Sequence, residues 1–210
     1  NKEKYEIYPI FIDKDGKWYE QNNVNKINNI IEYLKNLDIV FPVLHGLGGE
    51  DGSIQGMFEL FNIKYIGCNI LSSSLGMDKA YTKIIFEKAK INQAKYLYVK
   101  KYENRKYIYV DDNLLENELD ENELINLIEK KLNYPIFVKP SNSGSSVGVN
   151  KSNNKNELVK NLKDAGCFDN KILIEQGIIG REIECAVLGN SKTKVEVSTV
   201  RRNTFCRRFL

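Results

Sequence analysis

The apolar run that follows Asp38 (DIVFPVL, Asp38 to Leu44) opens directly into His45-Gly-Leu-Gly-Gly-Glu-Asp-Gly52, a loop with four glycines in eight positions. An unbroken apolar segment of this kind reads as a strand buried on both faces, as in a parallel sheet flanked by helices. The neighbouring segments agree. Tyr5 to Ile12 alternates in a β-rich pattern, and Asp13 to Gly16 supplies turn residues. Val24, Ile27, Ile30, Ile31 and Leu34 fall at helical spacing within Val24 to Leu37. A helix follows from Ser53 to Phe61, then a short strand from Lys64 to Gly67. Strand, helix, strand, loop, helix, strand is half of a doubly wound sheet without its opening strand, which makes the first domain, 1–77, α/β and Rossmann-like.

A second unit starts near Asp78, a suitable N-cap for a helix Lys79 to Lys90. Strands are expected at Tyr96 to Lys100, Tyr107 to Val110, Pro135 to Lys139, Lys171 to Gln176 and Arg181 to Leu188. Helices are expected at Glu121 to Leu132, opened by the capping pair Asp120 and Glu123, and at Asn154 to Asp164. Asn142 to Gly148 reads as a flexible loop. This is an α+β unit, 78–178, with a further boundary near 178 that starts another piece, 179–200.

Composition narrows the function classes. The chain is 42% hydrophobic and 28% charged, as a soluble protein with a real core should be. No apolar run approaches the roughly 18 residues of a membrane helix, and the N-terminus lacks the basic-then-apolar signal pattern. No initiating Met opens the chain either, so it is expected to begin inside a longer protein. Cys68, Cys167, Cys185 and Cys206 are widely spaced, which points to buried free thiols in a reducing cytoplasm and away from structural zinc. The single histidine, His45, excludes multi-histidine metal sites. The net charge is +3, but Arg201, Arg202, Arg207 and Arg208 all lie in the last ten residues. Without them 27 basic residues face 28 acidic ones, a net of −1, which argues against nucleic acid as the partner.

Three segments carry chemistry. The glycine loop 45–52 would let a ligand approach the backbone at a strand end, or serve only as a tight turn. Its spacing is not the dinucleotide fingerprint, and no Walker A sequence occurs. In Pro135 to Gly148 (PIFVKPSNSGSSVG), Lys139 ends an apolar strand where an ammonium is costly unless it meets an anion. The adjoining Ser/Gly loop offers closely spaced donors suited to phosphate, the alternative being a snorkelling lysine before a mobile loop. In Ile172 to Ile178 (ILIEQGI), a strand ends at Glu175 and a connector follows. Such a connector could read a purine edge while Glu182 takes ribose hydroxyls, although strand-edge glutamates are common.

Together, FPVLHGLGGEDGSIQG (41–56), YIGCNILSSSLGMDKAYTK (65–83), PIFVKPSNSGSSVGV (135–149) and ILIEQGIIGREIECAVLGN (172–190) resemble D-alanine–D-alanine ligases of the ATP-grasp superfamily. The likeness is collinear over nearly all of 1–200. It implies a pre-ATP-grasp first domain followed by a partial ATP-grasp domain. By the resemblance, Lys79 and Lys139 hold ATP phosphates, and Gly144, Ser145 and Ser146 cap them, with Ser145 near the reacting D-alanine. Glu175, Gln176, Gly177 and Ile178 receive adenine, Glu182 takes the ribose, and His45 and Glu50 line the first D-alanine site.

The implied reaction is ATP-dependent ligation of two D-alanines through an acyl phosphate, for peptidoglycan precursors, with Mg²⁺ (or Mn²⁺), in a cytoplasmic homodimer without nucleic-acid or membrane partners. The family's metal-binding and second-substrate residues, and a glutamate on its opening strand, fall outside residues 1–210. The chain alone is therefore expected to bind nucleotide weakly and not to catalyse. D-Ala–D-Lac or D-Ala–D-Ser ligation and a non-catalytic nucleotide-binding remnant are the competing readings.

The tail, Arg201 to Leu210, has no acid and a sudden arginine density. An AT-rich coding sequence for it, read one base later, gives Gly-Glu-Ile-Leu-Ser-Ala-Glu-Asp-Phe-Tyr, which resembles the family's own continuation. Residues 201–210 are thus expected to be a frameshift product with no fixed place in the fold, the alternative being a basic tail for anionic partners.

Overall fold

The computed structural model describes residues 4–20, 25–101, 106–190 and 194–202. The chain divides into two units, Asn1–Met77 and Asp78–Leu210.

In the first unit, β1 (Ile10–Ile12), β2 (Trp18–Glu20) and β3 (Asn25–Lys26) form an antiparallel meander. Its first turn is shaped by Asp13, whose Oδ1 accepts from the N–H groups of Asp15 at 2.9 Å and Lys17 at 2.8 Å. Helix α1 (Ile30–Lys35) is shorter than the apolar spacing suggests, because Asn29 caps it by accepting from Glu32 N–H. Residue 24, in the expected helix, lies outside the described residues. Helices α2 (Ser53–Leu60) and α3 (Ile70–Met77) follow. Leu34, Ile54, Phe58 and Ile63 are the core, joined by Val40 and Leu44.

The run 38–44 departs from the expectation of burial on both faces. Val40 makes a single parallel bridge to Tyr65. Val40 and Leu44 turn toward the core of α1 and α2, while Ile39, Phe41 and Val43 are 50%, 68% and 70% exposed. The apolar run is real, but among the described residues helices cover only one of its faces.

The second unit is a six-stranded antiparallel sheet in the order β6-β5-β4-β9-β7-β8. Its strands are β4 (Tyr96–Lys101), β5 (Tyr107–Val110), β6 (Glu116–Leu119), β7 (Ile136–Pro140), β8 (Asn150–Ser152) and β9 (Lys171–Gln176). Period-two alternation sends Leu97, Val99, Ile136, Val138, Ile172 and Ile174 to one face. There they meet α5 (Glu121–Lys131) and α6 (Lys155–Ala165). The capping box at Asp120 and Glu123 is formed in full. On the other face Tyr98, Val110 and Leu173 pack with Ala80 and Ile84 of α4 (Lys79–Lys88).

After the sheet come two short antiparallel pairs. β10 (Ile183–Glu184) pairs with β13 (Arg201–Arg202), and β11 (Val187–Leu188) with β12 (Glu196–Val197). Two earlier expectations are corrected here. Arg201 and Arg202 do have a place, opposite Glu184 and Ile183. Ladder bonds are made by backbone groups and do not require a particular side chain. Residues 203–210 lie outside the described residues. The cysteines described are not buried: Cys68, Cys167 and Cys185 are all exposed, outside the strands and helices, with Cys185 between β10 and β11. Cys206 lies outside the described residues.

Candidate functional site

Helix α4 carries two cations on one side. Lys79 and Lys83 are four residues apart, so their side chains leave the same face. Its start is fixed from both sides of the chain. Asp78 accepts from the N–H groups of Ala80 at 3.1 Å and Tyr81 at 3.2 Å, which is the expected N-cap. Ser141 Oγ donates to Asp78 Oδ1 at 2.6 Å, and Lys79 N–H donates to Ser141 O at 3.0 Å. The Lys79 ammonium reaches the carbonyls of Ser143 and, at 3.4 Å, Ser141. Burial, and then the nearby charge of Lys139, hold the Lys79 ammonium below the usual lysine range.

The sheet contributes the opposing charges. On β9, Lys171, Leu173 and Glu175 share the α4 face, and β7 adds Lys139 opposite Leu173. Glu175 Oε2 accepts from the Lys139 ammonium, and Oε1 from Lys83 Nζ at 2.6 Å. Glu175 is only 7% exposed. Burial alone would raise its pKa, but the charges and hydrogen bonds of Lys139 and Lys83 outweigh burial and hold it below the usual carboxylate range. The anion that Lys139 needed is thus a carboxylate of the same sheet. A separate pair, Lys171 Nζ with Asp78 Oδ2 at 2.5 Å, is neutral by itself. Lys79, Lys83 and Lys139 against Glu175 leave a local excess of positive charge, the setting that draws a polyanion.

The Ser/Gly loop leaves β7 beside these lysines. Asp169 anchors its start, accepting from Asn142 N–H at 2.8 Å and from Asn142 Nδ2 at 3.0 Å. Further on, Ser143 Oγ donates to Val147 O at 2.9 Å, and Val147 N–H to Gly144 O at 3.0 Å. Ser145 and Ser146 are exposed and both hold positive φ, 49° and 61°. Non-glycine residues pay for that conformation, which Asn62, Lys90 and Leu114 also adopt singly. Gly148, at φ 71°, ends the loop where a Cβ would come within 2.6 Å of Pro140 Cγ.

Beyond Glu175 the connector is tightly tied. Gln176 N–H donates to Lys95 O at 2.9 Å, and Gly177 N–H to Pro135 O at 2.8 Å. The Gln176 side chain is committed to Asn133, accepting from its N–H at 2.7 Å and donating to its carbonyl at 2.6 Å. A Cβ on Gly177 would sit 2.6 Å from Pro135 O, so glycine is required by close approach. Ile178 and Glu182 are exposed, on the stretch leading into β10. The structure therefore brings together Lys79, Lys139, Glu175 and the loop at Ser143, and leaves Glu182 apart from that cluster's hydrogen bonds.

In the first unit, the glycine loop closes on its own acids. Gly46 N–H donates to Glu50 Oε2 at 2.6 Å and Gly48 N–H to Asp51 Oδ2 at 2.9 Å. Gln55 Nε2 donates to Gly49 O at 2.9 Å. His45 and Glu50 are both exposed.

Asp78 was read only as a helix cap, and Lys83, Ser141 and Lys171 are members of the cluster that the sequence did not single out. The i, i+4 spacing of Lys79 and Lys83 was the available signal for the first. The alternation of Lys171, Leu173 and Glu175 was the signal for the last.

The comparisons with known proteins place the chain in a family. The family model "D-ala D-ala ligase C-terminus" matches residues 85–207, and "D-ala D-ala ligase N-terminus" matches 23–68. A D-alanine–D-alanine ligase of Acetivibrio thermocellus is 46% identical over 90% of this chain and 58% of its own length. D-alanine–D-alanine ligase B of Clostridium tetani is 44% identical over 94% of this chain and 56% of its own. The chain thus spans a little over half the length of these curated relatives. Among solved structures, the VanG D-Ala:D-Ser ligase of Enterococcus faecalis superposes with a TM-score of 0.77 at 32% identity, over 96% of this chain and 61% of that one. The D-alanine–D-alanine ligase of Coxiella burnetii gives 0.67 at 28%, over 94% and 50%. The lysines of α4 and β7, the serine–glycine loop and the strand that bears Glu175 are thus carried by a chain that belongs to the D-alanine–D-alanine ligase family.

Proposed function

We propose that the whole protein ligates two D-alanines at the expense of ATP, in the cytoplasm and as a homodimer, supplying a peptidoglycan precursor. The observation that supports this most is the excess of positive charge at Lys79, Lys83, Lys139 and Glu175, beside the strained serines of a loop that can fold over a phosphate. In this reading Lys79 and Lys139 hold ATP phosphates, while Gly144, Ser145 and Ser146 cover them. The segment Glu175 to Ile178 receives adenine. Because the N–H groups of Gln176 and Gly177 are already used, a purine edge would be read from Ile178 onward. Glu182 takes the ribose, and His45 and Glu50 serve the first D-alanine.

The γ-phosphoryl group passes to the carboxylate of the first D-alanine, giving an acyl phosphate and ADP. The amine of the second D-alanine attacks the acyl carbon, and phosphate leaves with its electron pair. Transfer of this kind asks the protein chiefly for positioning and charge neutralisation, which two lysines and a donor-rich loop supply. A closed loop also keeps water from the acyl phosphate. The residues described do not fit a divalent cation. No group of three or more His, Cys, Asp or Glu is gathered among them, and Asp78 and Glu175 are spent on lysines.

Ligation to D-serine is a second reading, favoured by the fold's likeness to a D-Ala:D-Ser ligase. A competition assay on the whole protein, with ATP and D-alanine, D-serine and D-lactate together, tests both. D-alanyl-D-alanine with ADP is the expected product. Preference for D-serine or D-lactate would change the substrate, and nucleotide binding without any ligation would leave a non-catalytic remnant.

A further inference from the structure

Glu175 is shared by two lysines that differ in how firmly they are held. The Lys83 side chain is 13% exposed and that of Lys139 is 27% exposed. Lys83 is further confined by the Tyr96 ring, 5.0 Å away, and by Gln93 Oε1 and Ala94 O, each at 3.5 Å. Gln93 Nε2 in turn donates to Lys83 O at 2.9 Å. Lys139 is the partner with room to turn outward. A polyanion that engages Lys139 competes with Glu175 for it. A carboxylate left alone at this depth takes up a proton, because burial disfavours its charged form.

We propose that Lys83 is a positioning residue: it keeps Glu175 ionised and in place once Lys139 has turned from that carboxylate to a nucleotide phosphate. This inference rests on the nucleotide reading above. The charged and titratable groups around Glu175 are Lys139 from β7, Lys79 and Lys83 from α4, and Tyr96 from β4. The Tyr96 hydroxyl is committed to Glu87 Oε2 at 2.8 Å, and Lys171, on the same strand as Glu175, is paired with Asp78. Lys83 is the cation on α4 in direct contact with the carboxylate. With Lys83 present, nucleotide binding needs no proton at Glu175. Without it, binding and protonation are coupled.

The test is calorimetric titration of the whole protein with ATP, in buffers of different ionisation enthalpy, so that protons taken up per binding event are counted. Lys83→Met is expected to take up as much as one proton more than wild type. Its Kd should rise with pH, relative to wild type, by up to about tenfold per unit between about pH 6 and 8. Lys83→Arg should restore the wild-type count. In Glu175→Gln/Lys83→Met the extra proton should vanish. A wild-type count in Lys83→Met, or an extra proton that survives in the double variant, would overturn the assignment. Should Lys83→Met fail to fold, Glu175→Gln decides. With its competitor gone, Lys139 should bind ATP more tightly by about threefold or more, and equal or weaker affinity counts against the proposal. Wild type that binds no ATP defeats the nucleotide reading itself, an outcome distinct from a Lys83 that makes no difference.

Discussion

Lys139 and Glu175 stand two positions out of register on neighbouring antiparallel strands, Lys139 opposite Leu173 and Glu175 opposite Phe137, and their charged ends meet on the face covered by α4. Diagonal neighbours on one face are within reach of long side chains, so the sheet's register sets this pair. The same carboxylate takes Lys83 from the helix above. One buried acid thereby ties β7, β9 and α4 together.

The first prediction concerns that tie. Glu175→Ala would leave Lys83 and Lys139 without their anion, at a cost of about 3 kcal/mol, since breaking a buried pair strands the remaining charge. Urea denaturation at neutral pH measures it. Because the folded pKa of Glu175 lies below its ordinary value of 4.5, its contribution is present above that value and is lost as pH falls through the lower, folded one. The stability gap between wild type and Glu175→Gln should therefore shrink under acid. A gap unchanged by acid would mean that the carboxylate's charge contributes nothing.

Lys139→Ala, in the whole protein, should weaken ATP binding by about 1.5–3 kcal/mol, the worth of a charge-assisted contact in a partly dry cleft. Equilibrium titration reads this directly. Unchanged ATP affinity would remove Lys139 from the site.

What could be read from the sequence was mostly what is decided locally. The capping box of α5 lies within four residues, and Asp78 caps the helix that starts beside it. Lys139 stood out because an ammonium breaks an apolar strand. Lys83 did not, because nothing near it in the chain reveals that a glutamate of β9 will lie beneath it. Strands β6 (Glu116–Leu119) and β8 (Asn150–Ser152) were missed for a related reason. They are polar edge strands whose place is set by the partners they pair with, not by their own pattern. Helix α3 (Ile70–Met77) contains three consecutive serines, so its helical pattern does not stand out. The run 38–44 shows the converse: an apolar sequence says that a segment favours burial, not how many of its faces will be covered.

Ser145→Ala, in the whole protein, should lower turnover more than nucleotide affinity, because the hydroxyl is proposed to lie near the reacting carboxylate rather than to anchor ATP. Alanine at φ 49° keeps the same backbone demand as serine, so the change isolates the hydroxyl. Steady-state kinetics with a separate ATP titration compare the two effects. Equal losses in kcat and in ATP affinity would make Ser145 an ATP contact only.

The Asp78 carboxylate joins four partners in the site's support. It is 6% exposed, caps α4 through Ala80 and Tyr81, accepts from Ser141 Oγ at 2.6 Å and holds Lys171 at 2.5 Å. The Lys171 ammonium also lies 3.6 Å from the Tyr81 ring centre. Burial pushes the Asp78 carboxyl up, but hydrogen bonds from Lys171, Ser141 and Tyr81 hold it below its ordinary 3.8. Asp78→Ala removes the cap, worth about 1 kcal/mol, and strands a lysine whose side chain is 15% exposed, which brings the expected loss to about 4 kcal/mol. Asp78→Asn keeps a capping oxygen and loses the charge, so its loss should be smaller. As with Glu175, the depressed pKa means that the charge stabilises above the unfolded value and stops doing so as pH falls through the folded one. A double-mutant cycle with Lys171→Met in urea isolates the ion pair. Strong coupling at neutral pH that fades in acid is the expected result. Additive losses at neutral pH would reduce Asp78 to an ordinary helix cap.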